Sequence, residues 1–178
     1  MSKSTNKIAL LSCCAPCSVY AIRKLASEGA KFSVLFFNPN IYPAEEYGRR
    51  RAEQVRLCEE LGVPFIDAPY DHGAWLDVVQ GLENSPEQGA RCSECFKFRF
   101  RLGAEWARAN GYGAVASVFG VSRFKNQAQV DNAARVIGDE LEYVQVEDDE
   151  CARRELAREF YKQKYCGCEF SIKSKVRR

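Results

Sequence analysis

Short apolar runs alternate with amphipathic segments along most of the chain. Five apolar runs predict short buried strands, at residues 7–12, 32–37, 64–66, 114–118 and 141–146. Between and after them, apolar residues recur at helical spacing, which predicts helices over residues 16–28, 43–61, 93–110, 127–137 and 150–164. Residues 67–90 are less regular and rich in turn-forming residues.

This alternation predicts an α/β fold: a mostly parallel sheet of about five strands with helices on both faces. No linker, repeat or low-complexity stretch divides the chain, so residues 1–178 are expected to form a single domain. In such sheets, functional sites lie at the carboxyl ends of the strands. Cys13, Asn38-Pro39-Asn40 and Ser122 to Asn126 each follow a predicted strand, so we expect these three segments to meet at one rim.

Composition is ordinary for a globular protein, with 46% hydrophobic and 28% charged residues. The net charge of +2 is too small to indicate a nucleic-acid binder, although clustered charge would still allow one. No apolar run approaches the roughly 18 residues of a membrane span. Residues 1–7 are polar and the run at 8–11 is too short for a secretory signal. We therefore expect a cytoplasmic protein with no membrane partner.

Cysteine is the outlier in composition: the chain has nine cysteines but one histidine. An odd count argues against a fully paired disulfide framework, and clustered thiols in a reducing compartment indicate metal or redox chemistry. Seven of the nine fall into three clusters: Cys13, Cys14 and Cys17; Cys92 and Cys95; Cys166 and Cys168. Zinc takes four ligands, so seven soft ligands fit better with a cubane cluster plus a second iron or a substrate-facing thiol.

Each cluster also has a simpler interpretation. Cys92 and Cys95 alone fit structural zinc as well as iron–sulfur, and Cys14 with Cys17 at a helix start fits a thioredoxin-like dithiol. The adjacent Cys13 and Cys14 are expected to point differently. Two further cysteines, Cys58 on an apolar helix face and the isolated Cys151, are expected not to bind metal. The single histidine, His72, is expected to be incidental.

Basic residues give a weaker signal. Arg49 to Arg51 and the tail residues Lys173, Lys175, Arg177 and Arg178 are candidate contacts for a nucleic-acid backbone, although such groups are more often solvated surface. The segment 97–108, in which basic and aromatic residues are interleaved, makes a slightly better case.

Six motifs and one single residue occur in a distinctive order over residues 8–171: Cys13-Cys14-Ala15-Pro16-Cys17-Ser18, Asn38-Pro39-Asn40-Ile41-Tyr42-Pro43, Glu46-Tyr47, Arg50, Gly89-x-Arg91-Cys92-x-x-Cys95-Phe96, Ser122 with Lys125-Asn126, and Tyr165-Cys166-Gly167-Cys168. Together they resemble the cobalamin-independent epoxyqueuosine reductases, the QueH family. Departures from the usual family pattern include Leu11-Ser12, where a histidine is common, and Ser122-Arg123-Phe124, where Ser-Pro-Tyr is usual.

The resemblance implies a HUP-like fold, related to the PP-loop ATPases, and an iron–sulfur oxidoreductase of queuosine biosynthesis. The implied substrate is tRNA that carries epoxyqueuosine at the anticodon wobble position, and the implied second partner is a low-potential electron donor. Residues 13–17 stand where PP-loop ATPases place their phosphate loop, so neither ATP nor cobalamin is expected.

Reduction of an epoxide to an alkene takes two electrons and two protons and releases water. The expected cofactors are a 4Fe–4S cluster and an additional mononuclear iron, which would polarise the epoxide oxygen. All seven clustered cysteines are candidate ligands. Cys17 is assigned to the second iron because relatives can carry Asp there, and the other six are not apportioned: Cys13, Cys14, Cys92, Cys95, Cys166 and Cys168.

The sequence offers four candidate proton donors without choosing among them: Glu46, Tyr47, Asp71 and Lys125. Tyr42 and Tyr47 are candidates for stacking on the modified base. Two other functions stay open. An iron–sulfur tRNA sulfur-transfer enzyme would need ATP, yet the chain has no SGGxDS-like loop, and a non-enzymatic zinc-binding RNA module would hold zinc and lack colour.

Overall fold

The computed structural model describes residues 6–175, and their side chains up to Ile172. Its centre is a five-stranded sheet in the order β3-β2-β1-β4-β5, in which every pair of neighbours is parallel. The strands are β1 (Ile8–Leu11), β2 (Phe32–Phe36), β3 (Phe65–Asp67), β4 (Ala114–Ser117) and β5 (Glu142–Val144). The predicted α/β fold is confirmed, with a sheet that is entirely parallel.

Seven α-helices flank the sheet: α1 (Ala15–Ser27), α2 (Ala44–Leu61), α3 (His72–Val78), α4 (Ala90–Ala109), α5 (Gln127–Ala134), α6 (Glu150–Leu156) and α7 (Glu169–Lys175). Six of them form two groups: α1 packs against α2 and α6, whereas α4 packs against α3 and α5. Within residues 6–175, no helix combines the length and the apolar character that a membrane span requires.

Local chemistry explains where the elements begin and end. Every residue of β1 and β2 is buried, as expected for parallel strands that are covered on both faces. Pro16 lies in the first turn of α1, where its missing N–H costs nothing. Gly62 ends α2 in the left-handed conformation, with φ of 63°. A Cβ at Gly103 would lie 2.8 Å from Leu11 Cδ2, so glycine allows α4 to pack closely on β1.

The last predicted helix, residues 150–164, is wrong in extent. Helix α6 ends at Leu156, and residues 161–163 are irregular. The backbone N–H of Tyr161 donates to Glu53 (3.1 Å) and the amide of Gln163 donates to Cys14 Sγ (2.9 Å). These tertiary contacts override the helical pattern. The Lys173, Lys175, Arg177 and Arg178 side chains lie outside the described part of the chain.

Other boundaries moved less. The helix predicted at 93–110 begins at Ala90, which places Cys92 and Cys95 in its first turns. The helix predicted at 127–137 divides into α5 and a 3-10 turn over Arg135–Ile137. Helices α3 and α7 lie where no helix was predicted, because seven residues are too few to show a clear period.

The strand order reverses between β1 and β4. The chain moves outward from β1 to β2 and β3, then returns to place β4 on the other side of β1. In open α/β sheets, ligands bind beyond the carboxyl ends of the strands at such a reversal. The loops that follow β1 and β4 therefore define the expected site.

Candidate metal centre

Three cysteines form a tight group directly after β1. Cys13 and Cys14 follow the strand, Cys17 lies in the first turn of α1, and all three side chains are buried. Their Sγ atoms lie within 4.8 Å of one another, and Cys13 and Cys14 are 3.9 Å apart. The expectation that these two adjacent thiols point apart is wrong. Thiolates that share one tetrahedral ion at about 2.3 Å lie about 3.8 Å apart, so the distance between Cys13 and Cys14 fits a single ion, and Cys17 needs at most a small shift to join it.

Lys125 reaches the triad from the loop that follows β4. Its Nζ lies 3.4 Å from Cys13 Sγ. Burial opposes the charge of Lys125, but the negative charge of Cys13 outweighs it and raises the pKa of the lysine. Lys125 is therefore a cation at neutral pH.

The three thiols of the triad differ in acidity. Hydrogen bonds from Cys14 and Cys17, assisted by the charge of Lys125, hold the pKa of Cys13 well below its usual range. Burial raises the pKa of Cys14, and the interaction with Cys13 raises the pKa of Cys17 to about 12. Before any metal binds, Cys13 is the thiolate of the triad and the other two are its donors.

Four more cysteines surround a neighbouring cavity. Cys92 and Cys95 project from the first turns of α4, and Cys166 and Cys168 come from the segment before α7. The cavity that these side chains enclose is small, about 10 Å³, and it opens partly to solvent. The rest of the lining is Asn40, Trp75, Arg91, Phe96, Arg99 and Lys125. Lys125 thus borders both cysteine groups.

The thiols of the cavity interact with one another through the same space. Burial raises the pKa of Cys92 and Cys95, and raises that of Cys166 to about 12. The charge of Cys168 adds to each of these three increases. Among the described residues, these four cysteines form no group as tight as the triad. Their wider spacing suits a larger metal cluster better than a single ion.

Three buried polar atoms around this cavity lack a hydrogen-bond partner among the described residues: Trp75 Nε1, Arg91 Nε and Asn40 Oδ1. The indole N–H of Trp75 faces Cys95, whose pKa it lowers, although burial raises that pKa overall. An unpaired buried donor costs free energy, on the order of 1–3 kcal/mol. Sulfur atoms of a metal cluster accept such N–H groups, so the donor set fits a cluster.

Arg50 fixes the segment that carries Cys166 and Cys168. This fully buried side chain pairs with Glu46 (2.8 Å) and donates to the backbone carbonyls of Cys166 (3.0 Å) and Tyr165 (3.2 Å). Gly167 follows with φ of 131°, and a Cβ there would lie 3.1 Å from Arg50 Nη1. Because the Arg50 guanidinium lies so close to this backbone, the position between the two cysteines requires glycine.

Comparison with known proteins agrees with this arrangement. A family model described as "Epoxyqueuosine reductase QueH" matches residues 8–174, which include all seven clustered cysteines. The chain belongs to the QueH family. Several proteins named epoxyqueuosine reductase QueH are similar to it. The protein from Histophilus somni is 38% identical over 180 residues, covering 94% of this chain and 73% of that protein.

Two other relatives carry the same name. The Haemophilus influenzae protein is 37% identical over 180 residues, which cover 94% of this chain and 72% of that protein. The Acinetobacter baylyi protein is 37% identical over 182 residues, which cover 96% and 82%. These matches confirm the QueH resemblance seen in the sequence motifs.

Of the four candidate proton donors in this QueH chain, Lys125 lines the cysteine cavity. Glu46 is buried and committed to Arg50, and its other oxygen accepts from the hydroxyl of Tyr161 (2.9 Å). Tyr47 stacks on Tyr70, with ring centroids 4.1 Å apart.

Asp71, the fourth candidate, is exposed and caps α3 by accepting from the Ala74 backbone N–H (2.9 Å). It borders a separate apolar groove of about 420 Å³, which Phe98 and Trp106 also line. The structure thus brings one of the four candidates into contact with the cysteines.

Sequence reasoning missed His72 as a structural tie in this QueH fold. Its Nδ1 lies 2.8 Å from the carbonyl oxygen of Pro39 and its Nε2 lies 3.2 Å from Glu169 Oε1. The ring is stacked between Tyr42 (5.2 Å) and Trp75 (5.4 Å). His72 therefore joins the loop after β2 to α7, and no local sequence signal links segments so far apart.

The two remaining cysteines lie away from both groups. Cys58 is buried in the core against α2 residue Gln54, whose amide is 3.7 Å from its sulfur. Cys151 is exposed on α6. Neither belongs to the triad or lines the cysteine cavity.

Proposed function

We propose that this protein is an epoxyqueuosine reductase that acts on tRNA. It would convert the epoxide of epoxyqueuosine at the wobble position into the alkene of queuosine, consuming two electrons and two protons and releasing water. One observation carries the proposal. Two neighbouring sets of cysteines, a tight triad and a more widely spaced set of four around the cavity, are both bordered by Lys125.

The spacings support a division of the seven cysteines. Cys13, Cys14 and Cys17 would hold a single iron, and the wider cavity would hold a 4Fe–4S cluster through Cys92, Cys95, Cys166 and Cys168. When bound, the cluster supplies electrons one at a time and the iron acts as a Lewis acid on the epoxide oxygen. The unpaired N–H groups of Trp75 and Arg91 support the presence of sulfur acceptors in the cavity.

The chain's own residues prepare the site for proton transfer. Lys125 holds a proton at Nζ between the two cysteine groups, and its raised pKa keeps that proton in place at neutral pH. We assign it as the donor to the epoxide oxygen. The triad is buried, which keeps water from the reacting atoms. The electrostatic interaction between the Lys125 charge and those atoms is therefore stronger than it would be in water.

An aromatic surface beside the site supports the RNA substrate. Tyr42 is 42% exposed and its ring is backed by His72, so one face is open to stack on a splayed base. Tyr47 is packed against Phe36 and Tyr70 and offers less surface. Tyr42 is therefore the better of the two stacking candidates.

Metal analysis of the anaerobically purified protein tests the proposal. A brown protein with about four sulfides and more than four irons per chain is expected, together with conversion of epoxyqueuosine in tRNA without ATP or cobalamin. Cys17→Ala should lower the iron content and keep the sulfide, whereas Cys168→Ala should lose both. Cys58→Ala and Cys151→Ala are matched controls that should keep metal and activity.

The triad spacing also favours one other function, a zinc-binding RNA module, because zinc accepts the same tetrahedral thiolate set. A colourless protein that holds about one zinc after anaerobic reconstitution, and leaves epoxyqueuosine unchanged, would replace the reductase with that module. Sulfur transfer that depends on ATP would instead indicate a thiolating enzyme.

A further inference from the structure

Residues 161–165, hereafter the strap, pass over the triad as an irregular segment whose side chains alternate between partly buried and exposed. Tyr161, Gln163 and Tyr165 point inward. The Tyr161 hydroxyl donates to Glu46, the Gln163 amide donates to Cys14 Sγ, and the Tyr165 hydroxyl donates to the Tyr42 carbonyl. The hydrogen bonds of these three alternate residues thus hold the strap over the site.

The two outward residues of the strap are Lys162 and Lys164. Both are exposed, and neither forms an ion pair with a described residue. By contrast, Lys24 pairs with Glu147 (2.8 Å) and Lys97 pairs with Glu94 (2.8 Å). The strap therefore presents two uncompensated cations to solvent.

A third exposed cation lies beside them. The Arg49 guanidinium is 4.9 Å from the centre of the Tyr161 ring, and its side chain is 57% exposed. Arg49 lies 3.8 Å from Glu46, so the cations without an ion pair among the described residues here are Lys162 and Lys164. Gln163, between them, contacts the thiol site.

Exposed cations that lie close together on one segment suit a polyanion whose charges repeat along a chain. An RNA backbone is such a polyanion. We propose that Lys162 and Lys164 bind phosphates of the RNA that flank the nucleotide entering the site, while Gln163 keeps the strap seated on Cys14. This inference rests on the proposed function for its RNA partner and adds the surface that holds it.

The test uses the full-length metal-loaded protein and an unmodified anticodon stem-loop RNA. The variant K162A/K164A removes both cations, K162R/K164R keeps the charge, and K31A is the matched control. Lys31 is exposed, has no ion pair among the described residues, and precedes β2 at the amino edge of the sheet, away from the cysteines. Affinity is measured over a series of salt concentrations, with iron and sulfide determined for every variant.

We expect K162A/K164A to weaken binding by about tenfold at low salt and to reduce the slope of log affinity against log salt by about one to two. K162R/K164R and K31A should bind like the original protein, and all variants should keep their metal. If K162A/K164A loses metal, the single charge-reversal variants K162E and K164E are compared with K31E instead. Each of the two should weaken RNA binding more than K31E does.

Wild-type affinity and salt slope in K162A/K164A, or in both single reversals, would overturn the inference and leave the reductase proposal intact. Conversely, lysine-dependent RNA binding by a protein that holds no cluster and does not reduce epoxyqueuosine would refute the reductase proposal and support the strap as an RNA-binding element.

Discussion

Lys125 Nζ lies 3.4 Å from Cys13 Sγ, across the point where the strand order reverses between β1 and β4. The contact pairs a raised lysine pKa with a lowered thiol pKa, so the two groups form a buried cation and anion at neutral pH. This pairing keeps a proton on Nζ next to the thiols.

Replacement of Lys125 with Ala should slow epoxide reduction by about 10²–10⁴, the range of a lost general acid. Single-turnover conversion of epoxyqueuosine in RNA, at matched iron content, measures the effect. Lys97→Ala, on the exposed side of α4, is the control and should retain the original rate. An unchanged rate in K125A would transfer the proton donor role to another group.

The Arg50–Glu46 pair should matter more for stability than exposed pairs do. Both side chains are buried, so Arg50→Ala leaves a carboxylate without its partner and should cost about 3–5 kcal/mol. Arg154→Ala removes a well-exposed partner of Glu150 and should cost less than about 1 kcal/mol. Urea unfolding of the two variants measures their free energies of unfolding. Equal unfolding midpoints would show that the buried pair stabilises the fold no more than the exposed pair does.

Glycine at position 167 should be required for metal loading. An Ala there adds a Cβ 3.1 Å from Arg50 Nη1 and 3.2 Å from Ile41 Cγ1 in a backbone region that L-residues rarely adopt. We expect Gly167→Ala to lower cluster content sharply. Gly111→Ala is the matched control: that glycine also has positive φ, of 72°, but open space around it, so iron and sulfide should be retained.

Trp75→Phe should lower the reduction potential of the loaded protein. The change removes an N–H that faces Cys95 and lacks a partner among the described residues. A hydrogen bond that favours the reduced cluster by about 1 kcal/mol corresponds to about 40 mV for one electron. Potentiometric titration measures the shift, with Trp106→Phe as the control. Equal potentials in the two variants would mean that the indole N–H does not reach the cluster.

Periodicity was enough to predict the fold because the decisive strands are short apolar runs between well-bounded helices. The runs at 7–12 and 32–37 were placed within two residues of β1 and β2. Residues 150–164 misled because Ala157 and Phe160 are buried in the core, as the helical pattern suggests, although the helix ends at Leu156. The contacts of Tyr161 and Gln163, made with residues more than a hundred positions away, decide the conformation instead.

The candidate site was only partly visible in the sequence. Cysteine clusters are recognisable in the sequence by their spacing. Their division into a tight triad and a wider cavity depends on which loops meet in the fold, and spacing along the chain does not encode that. The same limit applies to Lys125, which sequence reasoning could not separate from Asp71 or Glu46. Arg50 was noted as a motif residue and as a candidate RNA contact, but it is buried and pairs with Glu46, and buried partners leave no local pattern.

The origins of the four cavity cysteines have a further consequence for the protein's lifetime. Cys92 and Cys95 begin α4, whereas Cys166 and Cys168 precede α7, so a bound cluster would cross-link two distant parts of the chain. The loop closed in this way contains β4, α5, β5 and α6, and closing it restricts the unfolded chain. Iron supply would then set the amount of protein as well as its activity, since chains made without metal would be the first to be degraded.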